Sequence, residues 1–101
     1  MATKTTKTAD RKLKAVVVRT YSAGVHYGYL VSRSGQEVVL ERARRIWSWN
    51  GANTLHEVAL RGVGSGSRVS EKVSSITLTQ AIEIIACTPE GAAALDAAQW
   101  S

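Results

Sequence analysis

The sequence predicts a single small α+β domain: a mostly antiparallel sheet of about five strands, with a short central helix and a C-terminal helix. Three observations carry that prediction. Short β-branched runs recur between residues 15 and 87, separated by turns rich in Gly and Ser. Two segments, opening at Thr54 and Thr88, carry helix-start signals. The length, 101 residues, suits one domain and is too short for two.

Residues 1–14 hold few large apolar groups and repeat Lys-Thr, so we read them as a flexible basic arm, with residues 15–101 forming the domain. Ala15 to Tyr21 is β-branched and ends in an aromatic, which predicts a strand covered on both faces at its centre. Ser22-Ala23-Gly24 is a turn. Val25 to Val31 then alternates, with Val25, Tyr27, Tyr29 and Val31 on one face and His26, Gly28 and Leu30 on the other. Gly28 leaves room for a neighbouring strand to approach closely. Ser32 to Gln36 is a hairpin loop, and Glu37 to Glu41 opens a third strand able to continue through Ile46. Short turns between the three strands predict an antiparallel meander.

Asn50-Gly51 is a turn signal. Thr54 followed by Glu57 fits the capping box of a helix that Gly62 ends, with Leu55, Val58 and Ala59 on its apolar face. Gly64 to Ser67 is a flexible loop. Ser75 to Thr79 alternates as a strand, and Ala81 to Cys87 continues it or forms another, with Gln80 at a bulge. Thr88-Pro89-Glu90 starts a final helix running to about Gln99: a capping hydroxyl, proline in the first turn and an acid beside the positive helix end. Leu95 with Ala94 and Ala98 makes its apolar stripe, and Trp100 is placed to anchor its end.

Composition limits the function. Residues 1–14 carry five basic groups (Lys4, Lys7, Arg11, Lys12, Lys14) against Asp10, a balance of +4. The remaining chain carries eight basic against seven acidic residues, so the domain is nearly neutral and most of the net +5 sits in the arm. Such an arm is solvated or contacts phosphates or an acidic surface. No apolar run approaches the roughly 18 residues of a membrane span, and no apolar stretch follows the N-terminal lysines, so neither membrane partner nor signal peptide is expected. Cys87 stands alone in an apolar run and reads as a small buried hydrophobe in a reducing compartment. The two histidines are isolated, with His26 read as a half-exposed strand residue and His56 as an exposed helix residue. No metal-ligand spacing, phosphate loop or nucleophile elbow is present, so no catalytic residue, metal or cofactor is expected and the chain does not read as an enzyme.

The unusual segment is Arg42, Arg44 and Arg45 followed at once by Trp47 and Trp49, in a chain with only three tryptophans and no phenylalanine. Alternation puts Arg45, Trp47 and Trp49 on one side and Arg44 and Ile46 on the other. Indole stacks on planar rings and guanidinium grips phosphate or carboxylate in two prongs. With Asn53 and Arg61 close in sequence, Arg44, Arg45, Trp47 and Trp49 form a candidate ligand or partner site. The same residues also suit a packing centre with arginines paired to Glu37, Glu41 or Glu57, or a subunit interface.

The run Ala43-Arg44-Arg45-Ile46-Trp47-Ser48-Trp49-Asn50-Gly51-Ala52, together with Val17 to Thr20, Gly28 to Leu30, Leu55 to Ala59 and Ile82 to Ile85, resembles a family of small phage and prophage proteins of unknown function. The similarity extends from about residue 15 to Trp100. It implies a viral setting, in the host cytoplasm or the virion, and supplies no site residues. Three roles are compatible with it. One is a homo-oligomeric accessory protein in counter-defence, sequestering a nucleotide-like immune signal or blocking a host protein. The second is a decoration or connector subunit of the virion, and the third a nucleic-acid binder using the basic arm.

Overall fold

The computed structural model describes residues 13–49, 54–64 and 67–98. Its elements are β1 (Lys14–Thr20), β2 (Val25–Ser34), β3 (Glu37–Ser48), α1 (Leu55–Arg61), β4 (Arg68–Val69), β5 (Val73–Leu78), β6 (Ala81–Ala86) and α2 (Pro89–Ala97). This is the expected α+β arrangement of an antiparallel sheet with a central and a C-terminal helix. Strands β1, β2 and β3 form the meander. Strand β6 pairs with β1, while β5 and then β4 pair along the far side of β3.

Only Thr79 and Gln80 separate β5 from β6, yet the two strands join opposite sides of the meander, so the sheet must curl toward a barrel. The corner is held by the Ala81 N–H donating to the Gln36 carbonyl (3.0 Å) and the Tyr21 N–H donating to that of Gln80 (2.9 Å). Curling creates two cores. Val16, Val18, Leu40, Ala43 and Leu78 fill the inner one. Val17, Tyr27, Ile46, Val58 and Leu95 fill the outer one, where α1 and α2 cover the sheet. Strand β1 therefore feeds both, as its β-branched centre predicts.

Two irregularities redirect side chains. Tyr29 pairs with Glu41 and Tyr27 with Arg44, so Arg42 and Ala43 together face Gly28. Arg42 takes φ +50° at this bulge. Beyond it the alternation changes parity: Val38, Leu40 and Ala43 point inward, and Ile46 joins the outer core. Gly28 permits the approach, because a Cβ there would lie 3.0 Å from Leu40 Cβ and 3.2 Å from the Glu41 carbonyl oxygen. The second irregularity falls between Leu30 and Ser32 and corrects the reading of Val31. Val31 does not continue the buried face of Tyr27 and Tyr29 but is 37% exposed.

The threonine half of each helix start forms as the sequence implies. The Thr54 side chain accepts from the Glu57 N–H (3.4 Å), and that of Thr88 accepts from the Gly91 N–H (2.9 Å). Gly62, at φ +81°, ends α1 with its N–H on the Val58 carbonyl (2.7 Å). Helix α2 ends at Ala97; Gln99 and Trp100 lie outside the described residues, as does the Asn50-Gly51 turn. The helices meet closely, for a Cβ on Gly91 would collide with the Ala59 carbonyl oxygen, which already accepts from the Thr88 N–H. Gly91→Ala is expected to destabilise the domain by about 1–3 kcal/mol, the usual penalty of overpacking against backbone. Urea unfolding checks this, and an unchanged midpoint would mean that the helices separate freely. No described helix is long and apolar enough to cross a membrane.

Candidate functional site

The second half of β3 distributes the arginines and tryptophans to different jobs. Arg44 turns toward α2 and is only 3% exposed. Its Nε donates to the Ser70 carbonyl (2.8 Å), and its Nη1 to those of Leu95 (2.8 Å) and Asp96 (3.3 Å). The last carbonyls of a helix lack partners within it and carry partial negative charge. Arg44 supplies donors and positive charge together. Burial pulls its pKa below the ordinary arginine value, while Asp96 and Tyr27 oppose the shift.

Around it, the Tyr29 hydroxyl donates to the Asp96 carboxylate, and Lys72 stands 3.9 Å from Asp96. The Tyr27 hydroxyl lies 3.1 Å from the Ala92 carbonyl and 3.2 Å from the Tyr29 hydroxyl. The Arg42 guanidinium sits 3.9 Å from the centre of the Tyr29 ring. This network fastens the end of α2 to the sheet, and Arg44 is its centre.

Arg45 and Trp47 leave the opposite side of β3. Arg45 is exposed and Trp47 is 53% exposed. Arg68, brought beside β3 by β4, places its guanidinium 5.2 Å from the centre of the Trp47 ring. Val73, paired with Ala43, lies on the same side and is 48% exposed. Among the described residues the ion pairs are Arg19–Glu83, Arg61–Glu57 and Lys72–Asp96; neither Arg45 nor Arg68 is ion-paired. The result is a half-exposed indole on a face that also carries Arg45 and Arg68, neither paired with a carboxylate among the described residues.

Beneath Arg45 lies His26, its cross-strand partner. The expectation of a half-exposed histidine is corrected here, because His26 is 2% exposed. Both neighbouring strands and the curl of the sheet cover the even-numbered face of β2 at this position. The His26 Nε2 accepts from Arg45 Nε (3.4 Å), and Nδ1 has no partner. Burial first, and then the charge of Arg45, pull the His26 pKa from 6.5 down to about 4, so the ring is neutral at pH 7.

Of the other proposed site residues, Trp49 and Arg61 go elsewhere. Trp49 does not share the face of Trp47: β3 ends at Ser48, alternation ends with it, and Trp49 packs half-buried against the outer core. Arg61, on α1, stands 3.6 Å from Glu57. Asn53 and the arm residues Lys4, Lys7, Arg11 and Lys12 lie outside the described residues, and Lys14 is the exposed first residue of β1. Sequence reasoning missed Arg68 and His26. Arg68 follows a Gly-Ser loop with no periodicity to place it, whereas His26 becomes visible once the β2–β3 register sets it opposite Arg45.

Elsewhere, an open groove of about 620 Å³ runs between the β2–β3 hairpin tip, at Arg33 and Gln36, and residues Ala81 to Ile84 of β6. Cys87 packs against the outer core, and burial pushes its thiol up to about 11. Among the described residues no three His, Cys, Asp or Glu side chains are grouped to hold a metal ion. The chemistry offered by the Arg45–Trp47–Arg68 face is stacking plus anion binding. Residues 13–95 match the model of a family described as a domain of unknown function, DUF6948. No curated protein and no solved structure matches the chain.

Proposed function

We propose that this chain, which belongs to the family of unknown function DUF6948, is a non-enzymatic binding protein that takes a nucleotide-like ligand on Arg45, Trp47 and Arg68. The observation that carries this reading is the half-exposed indole on a face whose two guanidinium groups have no carboxylate partner among the described residues. The exposed half of the indole still has apolar area to bury, and cations without a carboxylate partner among the described residues attract an anion. A planar anionic ligand relieves both: its ring stacks on the indole and its phosphate meets the guanidinium groups.

The resemblance of the Ala43–Ala52 run to phage and prophage proteins supports an accessory role in the infected host cytoplasm. There, a homo-oligomer of this chain would sequester a nucleotide-like immune signal, or use the same face to block a host protein. The sequence resemblance carries the viral setting, and the exposed face carries the ligand class.

Trp47→Ala tests the reading. The side chain is about half covered and touches Arg68, so folding stability should fall by about 1 kcal/mol. Binding should weaken by about 5- to 150-fold, since stacking a base on an aromatic ring contributes about 1–3 kcal/mol. A panel of mono-, di- and cyclic nucleotides, titrated against tryptophan fluorescence and thermal shift, measures both. Absence of binding across the panel, or equal binding by the variant, overturns the proposal.

A further inference from the structure

We infer that His26 is a positioning residue for Arg45, fixing its guanidinium so that its two terminal nitrogens meet a phosphate group end-on. The inference rests on the ligand reading above and adds which guanidinium edge takes the anion and what holds it there.

The β2–β3 register places His26 directly across from Arg45, and the imidazole Nε2 accepts from Arg45 Nε at 3.4 Å. A guanidinium presents two kinds of fork: a side-on pair using Nε and an end-on pair using the two terminal nitrogens. Binding Nε to the imidazole closes the side-on fork. The end-on fork remains, on an exposed residue with no carboxylate partner among the described residues. Two parallel N–H groups match two oxygens of one phosphate. Arg68, on one face of the Trp47 ring, supplies the second positive charge and leaves the opposite indole face for a stacked ring. The ligand class is thus a phosphate ester of a planar ring, with the phosphate on Arg45 and the ring on Trp47.

The histidine itself is the second line of argument. When Nε2 accepts a hydrogen bond, the neutral ring carries its proton on Nδ1, and this buried N–H has no acceptor among the described residues. A buried donor without a partner destabilises the fold. Val18, the other cross-strand neighbour of His26, shows that an apolar residue suits this interior. An apolar residue at position 26 would remove the penalty. What histidine supplies here, and an apolar residue does not, is the acceptor for Arg45.

The test uses the full chain labelled with ¹⁵N. In the native protein the Arg45 Nε–H should exchange slowly with water, and long-range spectra should show His26 protonated on Nδ1 and bare on Nε2. In His26→Phe, which fills the space without an acceptor, Arg45 Nε–H exchange should rise to that of exposed side chains. Titrated inorganic phosphate should shift the Arg45 and Arg68 side-chain signals of the native protein, at least tenfold more weakly in His26→Phe, and with partial recovery in His26→Gln. Equal Arg45 exchange in the native protein and His26→Phe overturns the positioning role, whatever phosphate does. Equal phosphate affinity in the two overturns it while leaving the ligand reading intact. A protected Arg45 that phosphate does not shift overturns the end-on phosphate assignment. If His26→Phe fails to fold, the native tautomer decides: a proton on Nε2 overturns the inference, and a bare Nε2 with a protected Arg45 supports it.

Discussion

Arg44→Ala is expected to destabilise the domain by about 3–5 kcal/mol, a large part of the roughly 5–15 kcal/mol that holds a small domain together. The side chain joins three places far apart in sequence: β3, the Ser70 carbonyl after β4, and the Leu95 and Asp96 carbonyls at the end of α2. Hydrogen bonds from a charged donor contribute about 1.5–3 kcal/mol each, and a carbonyl left buried without a donor loses more than the bond itself. Lysine does not substitute, since one ammonium lacks the planar fork that reaches Ser70 from Nε and the helix end from Nη1. Arg44→Met should fall between the native protein and Arg44→Ala, because it restores volume without the donors. Urea unfolding gives the magnitude, and hydrogen exchange should show the last turn of α2 losing protection first. If Arg44→Ala unfolds at the native midpoint, the carbonyl contacts do not hold the helix and Arg44 becomes available as a ligand residue.

This assignment shows how far the sequence carries. Alternation separates Arg44 and Ile46 from Arg45 and Trp47, and the structure keeps that separation. What alternation does not reveal is which side is core. That depends on α2 returning across the sheet, 51 positions beyond Arg44 in the Leu95 contact. The double burial of β1 is legible because Val16, Val17 and Val18 are β-branched on both faces. The helix starts are legible because capping is local chemistry between Thr54 and Glu57, and between Thr88 and Gly91. The bulge at Arg42 leaves no local mark, for arginine has no preference for φ +50° and the distortion arises from pairing around Gly28. Strand β4 is two residues long and exists through its pairing with Ile46 and Ser48. The site divides the same way. Arg45 and Trp47 are adjacent on one strand face and readable together. Arg68 and His26 come from neighbouring strands, and only the register brings them in.

Lowering the pH from 7 to 4 is expected to remove about 3 kcal/mol of stability through His26 alone. In the unfolded chain the imidazole titrates at its ordinary value of 6.5, while in the fold burial and the adjacent Arg45 charge hold it down to about 4. Above pH 6.5 the ring is neutral in both states and the stability is complete. Between 6.5 and 4 the unfolded chain gains a proton that the folded one refuses, so stability falls by about 1.4 kcal/mol per pH unit. Below pH 4 the folded ring is protonated as well, and the contribution of His26 is exhausted. Carboxylates begin to titrate at the lower end of this window, so the difference between the native protein and His26→Gln isolates the effect. The native curve should fall more steeply from pH 6.5 to 4, and the two should run parallel above pH 7. Parallel curves throughout would show that water reaches His26 and that the ring is not sealed beneath Arg45. The same protonation turns Nε2 from acceptor to donor and sets an imidazolium against the Arg45 guanidinium. Acid should therefore release Arg45 Nε–H into rapid exchange over the same pH range in which stability falls.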